Sequence, residues 1–88
     1  MTSKIVTYDL AAPNGDYESL HVKLKAYTQW AKITQSCWFI KTDDSCKVVR
    51  NNLKSSMNDD DRLFVAALTG EAAWSNVICP SEGLKKRL

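Results

Sequence analysis

Seven residues near the start of the chain, Lys4 to Leu10 (KIVTYDL), constrain the fold most. Ile5, Val6, Thr7 and Tyr8 are β-branched or aromatic and favour a pleated, packed strand, while Ala11, Pro13, Asn14 and Gly15 stop it. The stretch predicts a strand that closes on Asp9, where the backbone leaves the sheet. A carboxylate in that place can face a cleft, bind a divalent cation or cap the following turn.

The rest of the chain supplies elements to pack on this strand. Asn14-Gly15-Asp16 reads as a turn into a helix, with Asp16 as N-cap and Glu18 in the first turn, where negative charge suits the helix dipole. Tyr17, Leu20, Leu24 and Tyr27 then recur at helical spacing, with Lys23 and Lys25 towards the C-terminal end. From Trp30 to Thr42 (WAKITQSCWFIKT) the pattern becomes aromatic and β-branched. Thirteen residues exceed a usual strand, which predicts two strands split near Gln35-Ser36 by a tight turn or a bulge. Thr42-Asp43-Asp44-Ser45 offers N-caps for a second helix through Cys46, Val49 and Leu53, ending near Ser55-Ser56. Met57 to Asp61 is a polar turn, and Arg62 to Thr69 (RLFVAALT) predicts a buried strand that Gly70 ends. Residues 73–79 suggest a turn and an edge strand stopped by Pro80, and residues 81–88 a short basic helix or a frayed end.

The order is strand, helix, strand, strand, helix, strand, with an appendage. That is the βαββαβ order of an α+β ferredoxin-like sandwich, in which two helices cover one face of an antiparallel sheet. With 88 residues the chain is expected to form one domain, 1–88. The other sheet face then has to be polar, bind RNA or pack on a second copy, since so small a chain buries little surface alone.

Composition narrows the function classes. Hydrophobic residues at 44% and charged residues at 25% indicate a folded core rather than a disordered chain. A net charge of +2 does not by itself imply nucleic-acid binding, so any basic surface must be local. The longest apolar run, Leu63 to Leu68, is too short to span a bilayer, and the N-terminus lacks a signal-peptide pattern, which leads to the expectation of a cytoplasmic protein. Cys37, Cys46 and Cys79 fit no CxxC or Cys/His metal spacing and are expected as reduced, mostly buried thiols.

Few residues can carry chemistry. Asp9 is one carboxylate, and magnesium usually takes one or two carboxylates plus waters and phosphate oxygens, so a site there requires two chains to bring their Asp9 side chains together. Asp59-Asp60-Asp61 reads as a solvated turn, because adjacent side chains do not converge on one ion. His21, the only histidine, follows core-facing Leu20 and is expected on an exposed face. Lys47, Arg50 and Lys54 recur on the second helix and, with Lys85, Lys86 and Arg87, form a candidate phosphate-binding surface or an ordinary solvated face. Trp30, Trp38 and Trp74 are candidates for base stacking, or for core or dimer packing. No Ser/His/Asp order, glycine-rich phosphate loop or HExxH motif is present, and nothing favours a nucleotide or small-molecule site.

Several stretches together carry a resemblance: IVTYDL at the start, the Tyr- and Leu-bearing first helix, WAKITQSCWFI in the middle and DDRLFVAALTGEAAW after it. The chain resembles the SinR-like proteins, which are similar to the small ferredoxin-like nuclease of CRISPR adaptation and, more distantly, to the VapD ribonucleases. The resemblance implies a homodimer whose sheets face each other, with the C-terminal segment, 71–88, reaching the partner's sheet. It further implies a divalent metal, magnesium, at the dimer interface on Asp9, hydrolysis of RNA or DNA phosphodiesters, Tyr8 in the preceding motif position, and Ser36 and Trp38 near the site. Members of the family also act as non-catalytic scaffolds. The alternative is therefore a dimer that binds nucleic acid or protein in defence, counter-defence or toxin-antitoxin function, with Lys47, Arg50 and Lys54 as contacts.

Overall fold

β1 (Thr2–Asp9) is paired on both edges. In this computed structural model, which describes residues 2–12 and 17–87, it lies between β3 (Cys37–Thr42) and β4 (Arg62–Ala67). With β2 (Gln29–Thr34) beyond β3, the sheet runs β2-β3-β1-β4 and every neighbouring pair is antiparallel. The strand begins two residues before the predicted Lys4, because Thr2 and Ser3 extend the ladder against Thr42 and Lys41. Side chains alternate along it: Lys4, Val6 and Tyr8 are buried on one face, and Ile5, Thr7 and Asp9 point to the other.

Two helices cover the Val6 face. α1 (Glu18–Lys25) buries Leu20 and Leu24, and α2 (Cys46–Lys54) buries Val49 and Leu53; these four join Val6, Tyr8, Tyr17, Trp38 and Ile40 in one core cluster. The predicted cap of α2 is present, with Ser45 Oγ accepting from the Val48 amide at 3.2 Å. The expected Asn14-Gly15-Asp16 turn and Asp16 cap lie outside the described residues. Polar bonds tie the helices together: Lys23 Nζ donates to the Asn52 carbonyl and to Ser55 Oγ, and Asn52 Nδ2 donates to the Tyr27 hydroxyl. Lys4, also on this face, directs its ammonium to the Thr42 carbonyl at 3.4 Å.

The predicted split of the central stretch is a tight turn at Gln35-Ser36, and β2 carries in addition a register shift between Lys32 and Thr34. β4 departs from expectation. It is an edge strand, and Arg62, Phe64 and Ala67 on it are exposed. The chain then turns at Gly70, whose φ of 100° suits glycine, and crosses the second face of the sheet. Residues 73–79 form no strand, although the Ile78 amide donates to the Ile33 carbonyl at 2.9 Å along the β2 edge. α3 (Ser81–Arg87) follows, and its Leu84 is buried against Ala31 and Phe39, with Ile33, Leu68, Trp74 and Cys79 around them. The C-terminal segment thus packs on its own sheet over β2 and β3.

The second face is covered only in part. Phe64 remains 62% exposed, opposite Thr7 in the β1–β4 ladder. All three cysteines are free and half-buried, less enclosed than expected. Among the described residues, no helix is long and apolar enough to cross a membrane.

Truncating Leu84 tests this packing. Leu84→Ala should destabilise the fold by about 2–5 kcal/mol, as expected for a buried leucine. Chemical denaturation at two protein concentrations checks it: a loss independent of concentration is expected if Leu84 packs within its own chain.

Candidate nucleic-acid interface

Asp9 closes β1 directly opposite Arg62, the first residue of β4. Its Oδ2 accepts from Arg62 Nη1 at 3.0 Å, and both side chains are mostly exposed on the open face, beside Thr7 and Phe64. An ion pair in this setting contributes little stability, about 0–1 kcal/mol. What it fixes is geometry. A carboxylate and a guanidinium stand side by side at the sheet's end, accessible to a ligand or a second protein surface.

The other residues expected around Asp9 are distributed differently. Tyr8 points to the opposite face, where its hydroxyl accepts from Trp38 Nε1 at 2.9 Å within the core. Burial pushes the Tyr8 hydroxyl pKa up, only partly offset by the Trp38 hydrogen bond. Alternation along a strand therefore sends the two neighbouring side chains to opposite faces. Trp38 is 2% exposed and offers no free ring face to a base. Ser36 does lie at the Asp9 end of the sheet, its carbonyl accepting from the Tyr8 amide at 3.0 Å. Asp9 supplies one carboxylate, and among the described residues no three His, Cys, Asp or Glu side chains gather in one chain.

The basic residues fall into separate groups. Lys47, Arg50 and Lys54 are all exposed on α2, with the Arg50 guanidinium held by Asn51 Oδ1 at 3.1–3.2 Å. Arg50 and Lys54 line one cavity with Asp59 and Asp61, so acidic groups offset them there. Lys85 belongs to α3, which packs on the other side of the sheet from α2, and so does not extend the α2 stripe. The side chains of Lys86 and Arg87 lie outside those described.

Two constellations were not foreseen from the sequence. The first centres on Asp61, expected only as part of a solvated turn. Its carboxylate accepts from the Ala11 amide at 2.8 Å, the Asn58 amide at 2.8 Å and the Tyr17 hydroxyl at 3.0 Å, and so joins the end of β1, the start of α1 and the turn before β4. Desolvation raises its pKa, but the three donors together outweigh that and hold it below the ordinary aspartate value.

The second is a cationic aromatic cluster where α1 meets β2. His21 stacks on Trp38 with ring centroids 5.9 Å apart, and Trp30 lies tilted against Trp38 at 5.6 Å. Lys25 Nζ sits 5.6 Å from the Trp30 ring and Lys32 Nζ 5.8 Å from the Trp38 ring. His21 is thus half-buried rather than on an exposed face. Its pKa is lowered, first by desolvation and then by the positive charges of Lys32 and Lys25. The signal was present in two spacings, His21 to Lys25 on one helix face and Trp30 to Lys32 on one strand face, but only the tertiary fold brings them together.

No family model, no curated protein and no solved structure matches the chain.

Acid should unfold the protein in two windows. Depressed His21 favours the folded state above its unfolded pKa of 6.5, and that contribution is lost as pH falls through the folded value. Depressed Asp61 acts likewise above 3.8 and is lost at lower pH. Thermal melts across the acid range should therefore show stability falling in both windows, with His21→Gln removing the first and leaving the second.

Proposed function

We propose that the chain is a homodimeric nucleic-acid-binding protein of the ferredoxin-like type, in which two copies meet across the uncovered half of the sheet. The observation that carries the reading is Phe64, a large apolar side chain 62% exposed on a regular strand beside the Asp9–Arg62 pair. The strip it belongs to, Ile5 and Ala66, Thr7 and Phe64, Asp9 and Arg62, joins three apolar side chains and a threonine to both signs of charge at one end. Such a strip is self-complementary under a two-fold axis, where the Asp9 carboxylate of one copy can meet the guanidinium of the other. Nucleic acid is the partner that suits the exposed lysines and arginine on α2 and the resemblance to the SinR-like proteins.

A second reading is favoured by where Asp9 stands. Two copies meeting on this face bring two exposed carboxylates and two guanidiniums to one seam, a donor set that suits magnesium and a scissile phosphate. The protein would then be a divalent-metal-dependent endonuclease on RNA or DNA phosphodiesters. Asp9 would hold the ion, the ion would polarise the phosphate and lower the pKa of an attacking water, and Arg62 would hold a phosphate oxygen. Ser36 stands at this end of the sheet through its backbone bond to Tyr8, and buried Tyr8 and Trp38 act as the packing behind it.

Light scattering over a range of concentrations tests the dimer. The wild type should associate, and Phe64→Glu should be monomeric with an unchanged circular dichroism spectrum; a wild type that stays monomeric sinks the reading.

Incubating labelled RNA and DNA with the protein and magnesium separates binder from nuclease. Cleavage that disappears in Asp9→Asn, with nucleic-acid affinity retained, supports catalysis. Binding without cleavage in the wild type leaves the non-catalytic function.

A further inference from the structure

The cationic aromatic cluster between α1 and β2 has features that core packing does not require. Trp38 is buried, but Trp30 keeps 40% of its surface exposed at the edge of the sheet. Lys25 lies over the Trp30 ring and Lys32 over the Trp38 ring, the two ammonium groups coming from different elements. Both lysines also face His21 and oppose its protonation. Two lysines thus stand beside the indoles here, in contrast to the mixed charges around Arg50 and Lys54.

A cavity of about 270 Å³ adjoins the cluster on the β2 edge. Trp30 and Lys32 line it together with Ile78, Cys79, Pro80 and Leu84 from the C-terminal segment. The edge thus combines an exposed indole, an apolar recess and two ammonium groups.

We propose that this edge binds single-stranded nucleic acid, with a base stacking on the Trp30 ring as the Lys25 ammonium that lies over it swings out to a phosphate, and Lys32 holding the adjoining phosphate. The proposal rests on the nucleic-acid-binding reading above and gives it a strand form and a contact surface distinct from α2. Chemistry sets the choice of strand. An indole can stack on a base only if that base is unpaired and free on one face, while ammonium groups on either side track the backbone. In a duplex the bases stack on each other, and only the lysines would find partners. The bases need not be of one kind, because every base has a stacking face and the cluster presents no array of hydrogen-bonding side chains to read its edges.

The test is fluorescence anisotropy of a labelled oligothymidylate of about 12 nucleotides, and of a duplex of equal length, with the full chain. The wild type should prefer the single strand. Trp30→Ala should weaken single-strand binding about ten-fold and Trp30→Phe should recover most of it, as stacking predicts. Lys25→Gln combined with Lys32→Gln should lower the slope of log affinity against log salt by about 1.4, since each phosphate contact on a single strand contributes about 0.7. This double variant leaves both indoles in place and keeps the test decisive if Trp30→Ala does not fold. Equal affinity for duplex, or a salt slope that moves only when Lys47, Arg50 and Lys54 are changed to Gln, overturns this site while the nucleic-acid-binding reading survives. A wild type that binds neither probe overturns both.

Discussion

The double pairing of β1 governs the rest of the molecule. Because β3 and β4 hydrogen-bond to its two edges, the strand cannot shift its register without breaking two ladders, and its period-two alternation is locked. Val6 and Tyr8 are thereby assigned to the helices, and Ile5, Thr7 and Asp9 to the opposite side. The placement of Tyr8 and Asp9 follows from that division. Tyr8 becomes an acceptor for the buried Trp38 indole, and Asp9 becomes an accessible carboxylate paired with Arg62. A one-residue slip would exchange these roles and place a charge among Leu20, Leu24, Val49 and Leu53.

Trp38 is the second organising element. It bonds Tyr8 across the ladder and carries His21 and Trp30 on its ring, so it connects the central strand, the first helix and the edge strand. A side chain this large, buried and specifically bonded holds its neighbours in fixed relation. The exposed Trp30 ring consequently rests on a buried neighbour.

Much of the architecture was legible in the sequence, because its signals were local. Tyr17, Leu20 and Leu24 announced α1 by spacing, the caps offered by Thr42 to Ser45 announced the start of α2, and the length of the Trp30–Thr42 run called for two strands, joined by a turn or a bulge. The edge position of β4 was not legible. RLFVAALT is apolar enough for a buried strand, and only sheet order reveals that Arg62, Phe64 and Ala67 face solvent. The same holds for the sites. Asp9 could be placed at a strand end from its neighbours, but its pairing with Arg62 depends on a ladder spanning 53 residues of sequence. Asp61 looked like one acidic turn residue among three, since its donors Ala11 and Tyr17 lie far away along the chain.

That long-range ladder also shapes how the fold can be reached. The β2–β3 hairpin closes over a two-residue turn and can form locally, but β1 has no partner until β3 exists, and Lys4 meets Ala67 only after most of the chain is available. During synthesis the strand that will become the centre of the sheet emerges before both of its neighbours and is the last to gain them. Until then Ile5, Val6 and Tyr8 stand in an unpaired β-prone segment, so the growing chain passes through a stage open to association with other chains. Slow closure is the kinetic counterpart of the firm register that β1 has once both ladders are made.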